Sequence, residues 1–501
     1  MPELILSIDA GTTGITAFAV NPSARVQGRA YSEFTQHYPQ PGWVEHDAGE
    51  IWDTTRDVLA RAISDAGAKP GDIAAIGITN QRETTVLWDR KTGEPVAPAI
   101  VWQCRRSAPI CERLREVGLE DELRARTGLV LDPYFSATKL LWYFENIEGV
   151  RARAEAGDLA MGTIDSWLIW KLTGGERHVT EHSNASRTLL YSLEEQDWDP
   201  WILERLGIPA SVLPEILPSS GRMGVTAGGD ILSGRPVPIS GAAGDQQSAL
   251  FGQACFEKGM AKNTYGTGSF VLMNTGTEVH RSEHGLLSTV AWDAGDGVRY
   301  ALEGAIFITG AAIGWLRDGL GIISDASETG PLAASVDDTG GAYLVPAFVG
   351  LGAPHWDPYA RGIFVGITQG TGRAQLARAV VEAMAYQTRD VVEAMTLDAG
   401  TSLKELRVDG GASVMDVLCQ FQADQLGVVV RRPKDQETTA LGAAYLAGLA
   451  EGVWASPGEI GEGWQVGAEY EPKMSRDEAD SLHDGWKKAV ELSKGWANRE
   501  A

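Results

Sequence analysis

The sequence predicts an α/β protein of two or more domains, and three observations carry that prediction. Short apolar, β-compatible runs alternate with stretches of helical spacing. Two hairpin-like segments with glycine-rich tips, residues 6–20 and 263–270, open the two halves of the chain. And 501 residues are more than one hydrophobic core organises.

In the first hairpin, residues 4–8 and 15–20 are the arms, and Asp9-Ala10-Gly11-Thr12-Thr13-Gly14 is the tip. A tight turn with little side-chain bulk lets anionic oxygens approach backbone N–H groups. Asp9 stands where a Mg²⁺ could be held. From this stretch alone, a phosphate loop and an ordinary hairpin closed by a Gly-Thr turn are equally good readings. The later tip, Tyr265-Gly266-Thr267-Gly268-Ser269-Phe270, favours the first, because it repeats the plan.

Residues 34–37 read as a further strand, followed by Gly42-Trp43-Val44-Glu45-His46-Asp47. Residues 51–66 have helical spacing, with Ile51, Trp52, Val58, Leu59 and Ile63 on the buried face. Two strands, residues 73–79 and 85–89, flank Asn80-Gln81-Arg82-Glu83-Thr84, polar residues where α/β proteins meet their ligands. Residues 134–146 and 165–172 read as helices, and the strand 237–240 enters Gly241-Ala242-Ala243-Gly244-Asp245-Gln246-Gln247. Residues 375–396 form the longest helix. Residues 406–412 are a strand ending in glycines before a helix over 414–425, a seat for nucleotide phosphate or adenosine. The helix 439–450 is rich in small residues and suited to close packing, and the charged, amphipathic C-terminal forty residues have no legible role.

Composition narrows the function. The chain is 44% hydrophobic and 22% charged, ordinary for a globular protein. A net charge of −24 argues against nucleic acid or an anionic membrane surface as partner. Phosphate must then be met by backbone N–H groups and a divalent metal. No run reaches eighteen consecutive apolar residues and no basic stretch precedes an apolar one near residue 1, so no membrane insertion and a cytoplasmic location are expected. Cys104, Cys111, Cys255 and Cys419 have no metal-site spacing and read as reduced thiols without a role; His178 and His182 read as surface residues. There is no GxxxxGK(S/T) loop, no HRD/DFG pair and no third glycine to complete a dinucleotide fingerprint. Three glycine turns with nearby acids, Asp9 with Gly11, Asp245 before Gly266, and Asp409 before Gly410, suit phosphoryl transfer.

A series of runs in order then carries a resemblance: Asn80-Gln81-Arg82-Glu83-Thr84-Thr85, Ile100-Val101-Trp102-Gln103-Cys104-Arg105-Arg106, Gly162-Thr163-Ile164-Asp165-Ser166-Trp167, Asn184-Ala185-Ser186-Arg187-Thr188, Gly244-Asp245-Gln246-Gln247, Glu303-Gly304-Ala305 and Asp409-Gly410-Gly411-Ala412. Over almost its full length the chain resembles the FGGY family of carbohydrate kinases, in particular its glycerol-phosphorylating members. The resemblance implies two ribonuclease-H-like domains of the actin/hexokinase type around a central cleft. Residues 1–250 would hold the polyol site and first phosphate hairpin, residues 251–501 the second hairpin and the adenosine site.

By the same resemblance Arg82, Glu83, Tyr134, Asp245 and Gln246 would meet the hydroxyls of glycerol, and Trp102 and Phe270 would wall its carbons. Asp245 would be the general base. Thr12, Thr13, Gly266 and Thr267 would hold the ATP phosphates, Gly310 and Gly411 would border the adenosine, and Asp9 would fix Mg²⁺. Taken singly, a surface ion pair explains Arg82-Glu83 and core packing explains Trp102 and Phe270. A homodimer or homotetramer is implied. Another small polyol or a pentulose such as xylulose is the alternative substrate; an actin-like nucleotide switch and an inactive polyol sensor are the alternatives of other classes. The chain departs from the family pattern at Thr16, where Arg is common, and at Gly314 and Met415, often Gln and Asn on the adenine side. A phosphate-facing cation is therefore missing or supplied elsewhere, and nucleotide preference is expected to be loose. Pro236 replaces an Arg that bacterial members use for fructose-1,6-bisphosphate, so weak or no inhibition is expected, and the residue 10–14 tip looks more like that of pentulose kinases.

Overall fold

A computed structural model describes residues 3–228, 232 and 234–497. Two large mixed sheets dominate, and their strands are numbered here in chain order. The first sheet contains β1 (Leu4–Ala10), β2 (Gly14–Val20), β3 (Val26–Glu33), β4 (Ile73–Asn80), β5 (Ser220–Val225) and β6 (Pro238–Gly244), in the order β5-β6-β4-β1-β2-β3. The second contains β7 (Met260–Tyr265), β8 (Ser269–Gly276), β9 (Leu287–Asp293), β10 (Val298–Ile306), β11 (Glu405–Asp409), β12 (Val430–Pro433) and β13 (Val466–Tyr470), in the order β9-β10-β8-β7-β11-β12-β13.

The two sheets share one plan. In the first, β1 pairs antiparallel with β2 and parallel with β4, while β2 pairs antiparallel with β3 and β6 parallel with β4. In the second, β7, β8, β11, β10 and β12 repeat those relations in the same senses. This duplicated order is the ribonuclease-H-like core expected from the sequence, and it explains why a Gly-tipped hairpin opens each half.

Helices fill the layers. Helix α1 (Ala48–Asp65) is capped by Asp47, whose side chain accepts from the N–H groups of Gly49 and Glu50. Helices α2 (Ser136–Asn146) and α3 (Ile164–Leu172) bury nearly all their side chains. Helix α4 (Asp245–Gly252) follows β6 directly, and α5 (Gly310–Asp318) follows the end of β10. Helix α6 (Arg373–Ala399) is the longest, ending at Gly400 in the left-handed region with φ +56°. Helix α7 (Asp416–Leu426) follows the Gly410–Gly411 turn. Helix α8 (Thr438–Ala450) is buried on nearly all sides and, though it belongs to the second half of the chain, packs against β1, β4, β6 and α4 of the first. The C-terminal helix α9 (Arg476–Ser493), whose role the sequence left open, buries Trp486 against Tyr386 of α6, the rings stacked 5.4 Å apart.

Two expectations are corrected. The strand placed at residues 34–37 lies earlier, as β3; Phe34 turns inward against His46 and only His37 makes an isolated bridge, to Glu45. His178 and His182 are not surface residues. His178 lies edge-on to Trp88, its Nε2 2.8 Å from the Met161 carbonyl and its Nδ1 2.9 Å from Arg90, and His182 Nδ1 lies 2.9 Å from the Tyr191 hydroxyl. The absence of a metal-site pattern says nothing about burial, and the segment between the two histidines, Val179–Glu181, is a short buried strand.

Candidate active site

The site forms where the C-terminal ends of β4 and β6 face the second sheet. Asn80 ends β4, and the chain turns sharply through Gln81–Thr84; Glu83 sits at φ +60°, a left-handed backbone that a non-glycine residue adopts at a cost. That turn drives Arg82 and Glu83 inward, where they are 3% and 1% exposed, so neither belongs to a surface ion pair.

Arg82 is the hub. Its guanidinium is paired with Glu303 of β10 through both terminal nitrogens, the Nη2–Oε1 distance being 3.0 Å. Nη1 donates to Gln247 Oε1 at 3.2 Å, Nη2 to the Tyr134 hydroxyl at 3.4 Å, and Nε stands 3.3 Å from Asp245 Oδ1. Arg187 completes the group: Nε donates to Glu83 Oε1 at 2.6 Å and Nη2 to Glu303 Oε1 at 3.0 Å. Burial works to raise the Glu303 carboxyl, but Arg187 and Arg82 overcome it and hold the group down at about 2. Asp245 is pushed above its ordinary range by burial, against the pull of Arg82 and Lys262. Its side chain stays about 29% exposed, open to an incoming molecule. Phe270 lies 5.7 Å below the Arg82 guanidinium, and Trp102 and Tyr134 meet edge to face at 5.6 Å.

The two hairpin tips border the same region. Trp102 Nε1 donates to Thr12 Oγ1 at 2.9 Å, joining the aromatic wall to the first tip. Asp9 and Thr16 are directly opposed across the hairpin, so the residue that is commonly Arg would stand beside this carboxylate. With Thr there, burial together with Asp245 and Glu437 pushes Asp9 up to about 7. In the second tip, the carbonyl of Gly266 accepts from Gly310 N–H and that of Thr267 from Thr309 and Ala311 N–H, all at 3.0 Å, which ties the loop to the start of α5. A Cβ at Gly310 would lie 2.4 Å from the Gly266 carbonyl, so that approach requires glycine. Gly411, after β11, faces open space. Met415 is buried in the core of the second half, and a Cβ at Gly314 would meet nothing within 4 Å, so neither presents a polar group toward a base.

Three charged members escaped the sequence reading. Arg187 and Glu303 stood inside family-like runs without a role, and Lys262 had none at all. Lys262 is fully buried in β7, donates to Gln246 Oε1 at 2.5 Å and Thr264 Oγ1 at 2.9 Å, and is brought down to about 8 by burial despite Asp409, Asp245 and Glu303 nearby. The available signal was a single charge in the middle of a short β-compatible run, a charge that is seldom buried without a partner.

Two duplicated α/β cores facing each other across a site of buried acids and glycine turns define a protein of the actin/hexokinase architecture, a class that includes sugar and polyol kinases. The N-terminal domain model of the FGGY family of carbohydrate kinases matches residues 4–252 and its C-terminal domain model residues 261–451. The chain is 58% identical to glycerol kinase 2 of Thermotoga maritima over 99% of its own length and 100% of that protein's. It is 56% identical to the glycerol kinase of Carboxydothermus hydrogenoformans, over 99% of both. Among solved structures, Plasmodium falciparum glycerol kinase with ADP superposes with a TM-score of 0.93 at 35% identity, covering 98% of each chain. Xylulose kinase of Rhodospirillum rubrum shares the fold, with a TM-score of 0.86 at 24% identity. The chain belongs to the FGGY family of carbohydrate kinases.

Proposed function

We propose that this enzyme transfers the γ-phosphoryl group of ATP to a terminal hydroxyl of glycerol, giving glycerol 3-phosphate and ADP. The observation that carries the reading is the pairing of Arg82 with Asp245 beside Tyr134, inside a wall formed by Trp102 and Phe270. A three-carbon triol needs several fixed polar partners and little room, and a site that pairs every hydroxyl rejects analogues that lack one. The same reading is supported by relatives named glycerol kinase that match over nearly the whole chain.

In this reading Asp245 accepts the proton of the attacking hydroxyl while the new O–P bond forms and the bond from γ-phosphorus to the bridging oxygen breaks, releasing ADP. Arg82 and Glu83 orient the polyol, with Gln246 placed by Lys262 beside them. Thr12, Thr13, Gly266 and Thr267 hold the phosphates with hydroxyl and backbone donors, and Gly310 and Gly411 border the adenosine. The transition state is loose, so alignment and charge neutralisation carry most of the acceleration.

The residues fit a divalent cation. Asp9 is a carboxylate raised by burial and by Asp245, a pair that a cation relieves. Among the described residues no group of three His, Cys, Asp or Glu encloses the position, so the remaining ligands would be phosphate oxygens and waters, the habit of Mg²⁺. When bound, it would neutralise charge on the phosphates. No helix among the described residues is long and apolar enough to cross a membrane. A cytoplasmic, oligomeric enzyme, dimer or tetramer, is proposed with this function, its lobes dividing near residue 250.

The test is ADP release measured with glycerol, dihydroxyacetone, xylulose and ribulose. Glycerol is expected to give the highest kcat/KM, and a higher value for xylulose would transfer the assignment to a pentulose. Asp245→Asn is expected to lower kcat on glycerol by about 10²–10⁴-fold. Retained turnover would remove Asp245 as the base.

A further inference from the structure

The run Gly42-Trp43-Val44-Glu45-His46-Asp47 plays no part in the chemistry above, yet it places a fully buried histidine behind the first phosphate tip. His46 stands edge-on to Phe34, with ring centroids 4.9 Å apart. Its Nε2 lies 2.8 Å from Gln36 Oε1 and its Nδ1 3.3 Å from Gln81 Nε2.

The neighbours dictate where its proton sits. Gln36 Nε2 donates to the carbonyls of Thr12 and Phe34, at 3.0 and 3.3 Å, which leaves the Gln36 oxygen facing His46. His46 therefore donates through Nε2. Gln81 Oε1 accepts from Thr84 Oγ1 at 2.8 Å, and Gln81 Nε2 donates to the Gly11 carbonyl at 3.1 Å while its amide faces Nδ1. Nδ1 therefore accepts. The Trp102 N–H donates to Thr84 Oγ1 at 3.2 Å, and the Trp102 indole N–H donates to Thr12 Oγ1 at 2.9 Å. The bonds close a ring from Trp102 through Thr84, Gln81, His46 and Gln36 to Thr12 and back. Each member has one permitted sense, and only a neutral imidazole with its proton on Nε2 satisfies them all. Burial favours that neutral form, with His37 adding to the effect, and takes the group down to about 4.

The ring grips the tip by its carbonyls. Because a trans peptide is planar, fixing the C=O of Gly11 and of Thr12 on one side turns the N–H groups of Thr12 and Thr13 to the other. Those two N–H groups, with the Thr12 hydroxyl, are donors assigned above to the nucleotide phosphates.

We propose that His46 is a positioning residue for phosphoryl transfer, acting as the Nε2–H tautomer that locks the Gly11–Thr13 backbone and ties it to the Trp102 wall of the polyol pocket. The proposal rests on the reading of Thr12 and Thr13 as phosphate ligands.

The test uses the full chain labelled with ¹⁵N-histidine, together with His46→Phe, which keeps an aromatic ring but removes both ring nitrogens, and His46→Gln, which restores a donor toward Gln36. Long-range ¹H–¹⁵N spectra of the unaltered enzyme at about neutral pH are expected to show His46 neutral with its proton on Nε2. His46→Phe is expected to weaken ADP binding and raise the KM for ATP about tenfold, with a lower kcat, while the Kd for glycerol stays within about twofold; His46→Gln recovers most of the loss. A proton on Nδ1, an imidazolium, unchanged nucleotide parameters, or equal losses for glycerol and nucleotide would each overturn the proposal. If His46→Phe fails to fold, Gln36→Met, which cuts the bond to the Thr12 carbonyl, must give the same split. Should the unaltered enzyme phosphorylate no polyol, the functional reading falls, and the tautomer and ADP-binding measurements still decide the role of His46.

Discussion

Glu303 ties the second half of the chain to Arg82 and Arg187 of the first. It stands between the guanidiniums of Arg82 and Arg187, all three side chains at most 2% exposed, with Glu83 closing the group. Two cations and two anions balance there, and removing one partner leaves an uncompensated buried charge. Glu303→Gln is therefore expected to raise the KM for glycerol at saturating ATP by at least about tenfold and to lower stability by about 3 kcal/mol at neutral pH, read from initial rates and urea denaturation. The sign of its pH dependence follows from a carboxyl held at about 2 when folded against 4.5 when free. The stabilisation is complete above the free value and is lost as pH falls toward 2, so the two proteins converge in acid and differ most above it. A gap that widens as pH falls would refute the assignment. The sequence made Arg82 and Glu83 legible through their motif and their place after a strand. It could not rank their burial, because the partners that decide it, Arg187 and Glu303, lie 104 to 221 positions away. Lys262 was hidden for another reason: its partners Thr264 and Gln246 are only 2 and 16 positions away, but its burial depends on β7 lying between β8 and β11.

Elements were more legible than contacts, since periodicity and glycine turns are local signals. Both Gly-tipped hairpins and helices α1, α6 and α8 lie where spacing put them, with ends shifted by a few residues. The misplaced strand at residues 34–37 has a physical cause: Phe34 alone is buried there, packing on His46 between exposed Glu33 and Thr35, while β3 alternates buried and exposed positions over residues 26–33. The small residues of α8 also have a cause that only the structure supplies. A Cβ at Gly442 would lie 1.9 Å from the Ser248 carbonyl of α4, and one at Gly77 of β4 would lie 2.1 Å from the Ala443 carbonyl, so helix, strand and helix touch backbone to backbone. Gly442→Ala is expected to cost about 3 kcal/mol or more. Gly314→Ala, in α5 with nothing within 4 Å of the added methyl, is expected to gain about 0.5–1 kcal/mol, because alanine is the better helix former. Equal urea midpoints for the two variants would show that the close approach does not constrain the packing.

At the scale of the whole molecule, the two halves are not separable in the way the family regions, 4–252 and 261–451, suggest. One core cluster contains Ile5, Phe18, Ala75, Ala243 and Phe251 from the first half together with Leu441, Ala444 and Leu446 from α8. Hydroxyls of the first half seal the contact, Ser7 donating to the Ala440 carbonyl at 2.6 Å, Ser248 to that of Thr439 at 2.7 Å and Ser220 to that of Leu446 at 2.8 Å. A chain ending at residue 252 would leave this face of the first sheet bare, together with the buried serine hydroxyls whose acceptors lie in α8. An apolar face of that kind drives association between copies rather than a stable monomer. Residues 1–252 made alone are thus expected to be insoluble or to lack near-ultraviolet circular dichroism. Made together with residues 253–501, they are expected to give a soluble pair that phosphorylates glycerol, because α8 from the second piece covers the sheet and Glu303 reaches Arg82. A soluble, cooperatively melting monomer of residues 1–252 would show that α8 is an addition to an independent lobe and not part of its core.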